Sequence, residues 1–118
     1  MLFAFIDESY TQDRYYVAAL VISVDDIGQM GDALKEAAAY AAGFGVEMGT
    51  EFHGHRIMAG RDGWEPIRNK HRAAGQIYRH ALTKLATLPA VVYIQGVDVA
   101  RLNARYAYPD PPHLVCLR

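Results

Sequence analysis

The first nine residues, MLFAFIDES (residues 1–9), join a continuous apolar run to two carboxylates. The apolar run over residues 2–6 is short and bounded by polar residues, which predicts a strand buried on both faces. Asp7 and Glu8 follow it directly, at the edge of a low-dielectric core, where a carboxylate is costly unless a cation or a metal pairs with it. Because side chains alternate between the faces of a strand, only one of the two acids can enter a given site, and we expect Asp7 to do so.

Two further runs of apolar and β-branched residues extend this first strand into a sheet. YYVAALVISV (residues 15–24) follows after a short polar turn, which predicts an antiparallel hairpin with the first strand. AVVYIQGV (residues 90–97) predicts a third strand. Asp98 follows it, either as the N-cap of a short helix up to residue 106 or as a ligand at a strand end.

The segments between these strands carry helical periodicity. Apolar residues recur at three- and four-residue intervals over residues 25–42, and Gly43 then ends the predicted helix. A second, longer helix is predicted from residue 64 to residue 85, with Pro66 in its first turn. A break over residues 108–112 precedes the start of another helix at residues 113–118. The pattern predicts an α/β domain.

Composition bounds the classes of protein to which the chain belongs. Its 118 residues are 52% hydrophobic and 21% charged, with a formal net charge of −1, which is typical of one globular domain. This balance gives no global attraction to nucleic acid or to an anionic membrane, so such a partner must use a local patch. No apolar run is long enough to span a bilayer, and no signal peptide is recognisable. The single cysteine, Cys116, predicts a small buried hydrophobe and a cytoplasmic location.

A second polar motif lies in the segment without helical period over residues 46–60. It reads Glu51-Phe52-His53-Gly54-His55. If the motif is extended, Glu51, His53 and His55 project from one face, where they could bind a metal or supply a general base. His53 could instead contact a substrate phosphate without any metal. The alternative is an ordinary surface loop, since no further histidine or cysteine stands at a zinc-motif spacing.

Arginines mark one face of the second predicted helix. Arg68, Arg72 and Arg79 fall on nearly the same face, and arginine suits phosphate recognition because its planar fork binds two oxygens. We therefore predict a nucleic-acid-binding surface there. The alternative is the charged outer face that any amphipathic surface helix shows.

Taken together, these motifs resemble the domain-of-unknown-function 3800 family of phage- and bacteria-associated proteins, usually assigned a ribonuclease H-like fold. The resemblance runs from Phe3 to about His113 and rests on the Ile-Asp-Glu-Ser strand end, the answering apolar strand, and the Glu-x-His segment between two helices. It implies a mixed sheet flanked by helices and a metal-dependent nuclease acting on nucleic-acid phosphodiesters. Asp7, Glu8, Glu51 and His53 would be the catalytic residues, and Asp7 and Glu51 would bind Mg²⁺ or Mn²⁺.

Members of this family usually continue for about another hundred residues, through a further acidic position. We therefore expect the C-terminal part of the fold to be missing and the activity to be weak or lost. The competing hypothesis is a catalytically inactive interaction module, a phage protein that binds a host factor or self-associates through its apolar C-terminus. Trp64 and the tyrosine-rich stretches around Tyr15 and Tyr106 motivate this second hypothesis.

Overall fold

The computed structural model describes residues 1–107 and 110–116, and the chain divides into two compact units. The sheet unit contains Met1–Val24 and the chain from Pro89 onwards. The helical unit contains Asp25–Leu88. No helix in the described ranges is both long and apolar enough to cross a bilayer.

Three antiparallel strands in the order β1-β2-β3 form the sheet unit. The hairpin register places Asp7 opposite Ala18 and Glu8 opposite Val17. The α/β class, the antiparallel hairpin and the third strand are thus confirmed. The strands are β1 (Leu2–Tyr10), β2 (Arg14–Ser23) and β3 (Ala90–Asp98).

The prediction that the first strand is buried on both faces is wrong. All nine residues of β1 are exposed, including Phe3 at 41% and Ile6 at 61%. Burial of both faces requires other elements packed on each side of a strand, whereas β1 contacts chiefly β2, its neighbour in the plane of the sheet. An apolar run reports the preference of its side chains for burial, but it does not determine how many neighbours the sheet supplies.

Two short helices complete the described part of the sheet unit, α4 (Val99–Arg105) and α5 (Pro112–Cys116). Asp98 is the N-cap of α4, which is one of the two alternatives that the sequence offered, since its carboxylate accepts a hydrogen bond from the Arg101 backbone N–H at 3.1 Å. Cys116 is buried, also as predicted, with its Sγ 3.7 Å from the Gln95 carbonyl oxygen. The predicted break over residues 108–112 lies partly outside the described residues, and Leu117 lies wholly outside them.

The helical unit contains α1 (Ile27–Ala42), α2 (Gly54–Ala59) and α3 (His71–Ala86). Helix α1 ends at Ala42, where the sequence predicted its end, and a 3₁₀ turn over Val24–Asp26 precedes it. Helices α1 and α3 pack against each other. Their unit has a continuous apolar core made by Ala41, Val46, Ile57, Trp64, Ile67, Ala74 and Ile77.

Two sequence predictions in this unit need correction. The single long helix from residue 64 is instead a 3₁₀ turn, Glu65–Ile67, followed by α3 from His71. Asn69 lies between them with a φ of 63°, a left-handed conformation that cannot continue a helix. The extended segment over residues 51–55 ends at His53, because Gly54 begins α2. His55 is therefore helical and does not alternate with His53 along a strand.

Candidate functional site

Two adjacent acids of β1, Asp7 and Glu8, border a cavity of about 400 Å³ within the sheet unit. The sequence placed them just after the first strand, but β1 continues to Tyr10, so both lie within the strand. Asp7 and Glu8 both line it, although strand alternation predicted that only one acid could enter a given site. Because β1 is an edge strand, a cavity at that edge can be lined from both faces of the sheet. The lining residues are Ile6, Asp7, Glu8, Tyr15, Val17 and His113.

The Asp7 carboxylate is held by the backbone beside it. Its Oδ1 accepts a hydrogen bond from the Glu8 N–H at 2.8 Å. Among the described residues of the sheet unit, no side chain donates a hydrogen bond to Asp7 or forms an ion pair with it. The group is exposed, so water or a cation can reach the remaining lone pairs of the carboxylate.

Glu8 is connected to the second strand through Tyr15, whose hydroxyl donates a hydrogen bond to Glu8 Oε2. This bond, together with desolvation and the negative charge of Glu8, raises the pKa of Tyr15 from 10.0 to about 12. Tyr15 therefore stays protonated over the physiological range. Its stacking on Tyr10, with ring centroids 5.7 Å apart, further orients the ring.

His113 adds an imidazole to the lining of the same cavity. Helix α5 carries it there, because α5 packs on β2 and β3 through Cys116. Sequence reasoning placed His113 only at the start of a helix and did not include it, or Tyr15, among the site residues. The signal that finds both is the fold itself, since His113 lies about a hundred positions along the chain from Asp7.

The donor set of this cavity fits a hard divalent cation in part. Two carboxylates supply oxygen donors, and Mg²⁺ is commonly bound by one or two carboxylates together with water and substrate phosphates. Within each unit, the described residues contain no group of three or more histidine, cysteine, aspartate or glutamate side chains placed to hold a metal. A cation here would therefore depend on water and substrate for most of its coordination.

The second predicted motif belongs to the helical unit. Glu51 pairs with Arg56 at 3.5 Å, and Arg56 also pairs with Asp62 at 3.4 Å. His53 precedes α2, where its backbone carbonyl accepts a hydrogen bond from the Ile57 N–H at 3.0 Å. The local contacts of Glu51 are thus those of a surface ion-pair cluster. The predicted catalytic roles of Glu51 and His53 stay predictions.

The predicted basic surface is divided between two local structures. Arg68 is not on the helix, since it follows the 3₁₀ turn and its Nε donates a hydrogen bond to the Gly60 carbonyl at 3.0 Å. Arg72 and Arg79 lie on α3, seven residues apart, and are exposed. The expected row of three arginines is therefore reduced to two on the helix, because the left-handed Asn69 separates Arg68 from it.

Comparison with protein-family models, with curated proteins and with solved structures returned no match to this chain. The resemblance to the domain-of-unknown-function 3800 family therefore stays a prediction that depends on the quoted motifs.

Proposed function

We propose that this chain is a metal-dependent, nuclease-like protein that acts on nucleic-acid phosphodiesters through the two adjacent acids of β1. The observation that carries the proposal is the pair of adjacent carboxylates, Asp7 and Glu8, which line one cavity together with an imidazole and a phenol. Phosphodiester hydrolysis needs a cation to balance the charge of the phosphate and a group that accepts a proton from water. The residue types around this cavity can meet both needs.

Asp7 and Glu8 would hold Mg²⁺ or Mn²⁺, and the bound cation would neutralise phosphate charge and lower the pKa of water. Asp7 is the stronger candidate, because its Oδ1 is positioned by the Glu8 amide while no side chain of the described residues competes for it. Glu8 shares its carboxylate with Tyr15, which fixes the orientation of that group. His113 would exchange a proton with water or with the leaving group, as a histidine side chain can near neutral pH.

The experiment compares Asp7→Asn with the wild type in hydrolysis of a labelled single-stranded oligonucleotide and in calorimetric titration with Mn²⁺. We expect D7N to lose metal binding and to lower the cleavage rate at least about 100-fold, since a metal contributes several kcal/mol to such a step. The matched control is Asp13→Asn, which makes the same change at an exposed aspartate of the same unit, outside the cavity lining. D13N should behave as the wild type.

Two results would refute the proposal. One is wild-type protein that binds no divalent cation at millimolar concentration, and the other is cleavage that D7N and D13N reduce equally. Glu51→Gln and His53→Ala in the same assays test the predicted catalytic roles of the second motif.

The second candidate is the interaction module, in its self-associating form, and the exposed β3 edge favours it. From Ala90 to Val97 this edge strand contains no Asp, Glu, Lys or Arg and no proline, and Ile94 is 67% exposed. Uncharged edge strands of this kind pair readily with another chain. A second copy related by a two-fold axis would bring the same uncharged edge, whereas pairing along β1 would bring Asp7 and Glu8 of both copies together.

The structure narrows the surfaces that this second candidate can use. Trp64, which the sequence suggested for an interface, is fully buried in the helical core. Of the apolar C-terminal residues, Cys116 packs inward while Leu114 stays 45% exposed. The exposed β3 edge therefore supports the self-association hypothesis, and self-association through the apolar C-terminus stays a prediction.

Light scattering over a range of protein concentrations tests this candidate with two matched variants. Ile94→Lys places a charge on the β3 edge, and Ile6→Lys places one on β1 at a similarly exposed position, 61%. Pairing through β3 predicts a wild-type dimer that I94K converts to a monomer while I6K leaves it unchanged. A monomeric wild type at millimolar concentration, or dissociation by I6K alone, contradicts it.

A further inference from the structure

A groove of about 620 Å³ in the sheet unit lies between the end of β3 and helix α4. It is distinct from the acidic cavity, since the two share no lining residue. Its lining combines guanidinium groups, a phenol ring and apolar side chains. The residues are Gly96, Val97, Asp98, Arg101, Leu102, Ala104, Arg105, Tyr106 and Val115.

The charged groups of this groove leave a net positive character toward a ligand. Asp98 is the one acid in the lining, and it is already engaged by the Arg14 guanidinium at 2.8 Å and by the Arg101 backbone N–H. Arg101 and Arg105 are exposed. Four residues apart on α4, they rise about 6 Å along one helix face, so both can reach a single anionic ligand.

An aromatic ring stands beside these two cations. Tyr106 is 51% exposed, and the Arg105 guanidinium lies 5.6 Å from its ring centroid. Leu102 and Val115 provide partly buried apolar surface in the same groove. A face for stacking next to forked phosphate donors is the combination that single-stranded nucleic acid requires.

We infer that this groove binds single-stranded nucleic acid, with Arg101 and Arg105 on the phosphates and Tyr106 stacked on a base. The inference rests on the proposed function and assigns its strand-binding surface to α4, in place of the arginines of α3. Recognition by charge and stacking is tolerant of sequence, so we expect similar affinity for different bases. A free nucleotide has the same phosphate and base groups, and the experiment below distinguishes binding of a nucleotide from binding of a strand.

The test measures fluorescence anisotropy of a labelled 12-nucleotide oligothymidine with the full chain in EDTA, so that binding is read without cleavage. We expect Tyr106→Ala to weaken binding about 5- to 150-fold, the range for loss of one stacked base. Arg101→Ala/Arg105→Ala should reduce the slope of log K against log salt by about 1.4, because each phosphate contact on a single strand contributes about 0.7.

The comparison variant is Arg72→Ala/Arg79→Ala, which removes two charges from α3, the surface that the sequence predicted for nucleic acid. If the strand binds in the groove at α4 instead, this variant changes the salt slope little. If Arg101→Ala/Arg105→Ala lowers the helical content, the same measurement is made with Arg101→Gln/Arg105→Gln, which keeps the aliphatic part of each side chain. Competition by thymidine monophosphate as strong as that by the oligonucleotide would overturn strand binding in favour of a nucleotide site. Strand binding at α4 is also overturned if the slope of log K against log salt falls for Arg72→Ala/Arg79→Ala but not for Arg101→Ala/Arg105→Ala.

Failure of this inference is distinguishable from failure of the proposed function. Hydrolysis of the small diester bis(p-nitrophenyl) phosphate with Mn²⁺ does not need a strand-binding groove. Wild-type protein that hydrolyses this diester but does not bind the oligonucleotide overturns the groove alone. Intact binding without Asp7-dependent hydrolysis overturns the proposed function alone.

Discussion

Replacement of Trp64 by phenylalanine tests the packing of the helical unit. Trp64 is fully buried, its indole Nε1–H donates a hydrogen bond to the Glu51 carbonyl at 3.0 Å, and its ring meets Phe52 edge-to-face at 5.2 Å between centroids. Phenylalanine keeps an aromatic ring but has no N–H group. The variant therefore removes one partly buried hydrogen bond and part of one ring.

Two terms set the expected size of the effect. Leaving the Glu51 carbonyl without its partner costs about 1–3 kcal/mol. A ring smaller by about 40 Å³ leaves a cavity that costs about 1 kcal/mol more at 24 cal/mol per Å³. W64F should thus lower the free energy of unfolding by about 2–4 kcal/mol, a large share of the 5–15 kcal/mol typical of a domain.

Urea denaturation followed by far-UV circular dichroism measures this change, since W64F removes the tryptophan that fluorescence would use. The control is Tyr78→Phe in the same unit, which also removes a polar hydrogen from an aromatic side chain, but at a position 39% exposed. Y78F should stay within about 0.5 kcal/mol of the wild type. If W64F is equally neutral, or if both variants cost the same, the account of this core is refuted.

Three further predictions concern smaller effects. The hydrogen bond to Glu8 raises the pKa of Tyr15 to about 12, so the contribution of this bond to stability is complete below pH 10 and is lost as the pH rises from 10 to 12. Y15F should therefore lessen the fall of the urea midpoint between pH 10 and 12. Hydrogen bonds from the backbone N–H groups of Glu65 itself and of Gly63 lower the pKa of Glu65 from its ordinary value of 4.5. The contribution of Glu65 to stability is therefore lost as the pH falls through the lowered value, and E65Q should lessen acid destabilisation in thermal melts. A Cβ on Gly96 would lie 2.5 Å from the Tyr16 ring. The G96A/Y16A double variant should therefore be about 0.5–1 kcal/mol more stable than Y16A alone, whereas G96A should not be more stable than the wild type. An equal gain for G96A over the wild type would contradict this contact.

The hairpin shows how far local sequence patterns determine this fold. Residues 15–24 predicted a strand next to the first one, and the register of β1 and β2 confirms it. The end of α1 at Ala42 and the cap of α4 by Asp98 were likewise predicted. The helix end and the cap depend on residues within a few positions of one another, and the hairpin joins strands that are neighbours along the chain, so local patterns predict all three.

The helical unit shows where such a window fails. The apolar period continues through residues 64–85, yet Asn69 adopts a φ of 63° and divides that segment. Arg68 contributes to this turn, because its Nε bonds to the Gly60 carbonyl eight residues earlier. Periodicity alone gave no weight to that contact and therefore joined the two elements into one helix.

The sequence by itself determined the α/β class, the three strands and the first helix, but it ended the first strand before Asp7, whereas β1 continues to Tyr10. Tertiary structure decided that β1 is an exposed edge strand, that Tyr15 donates to Glu8, and that His113 lines the same cavity. The physical reason is that side-chain periodicity and helix caps are local preferences, whereas burial and site composition depend on partners far apart in the chain. Those partners meet only after the chain has paid the conformational entropy of folding.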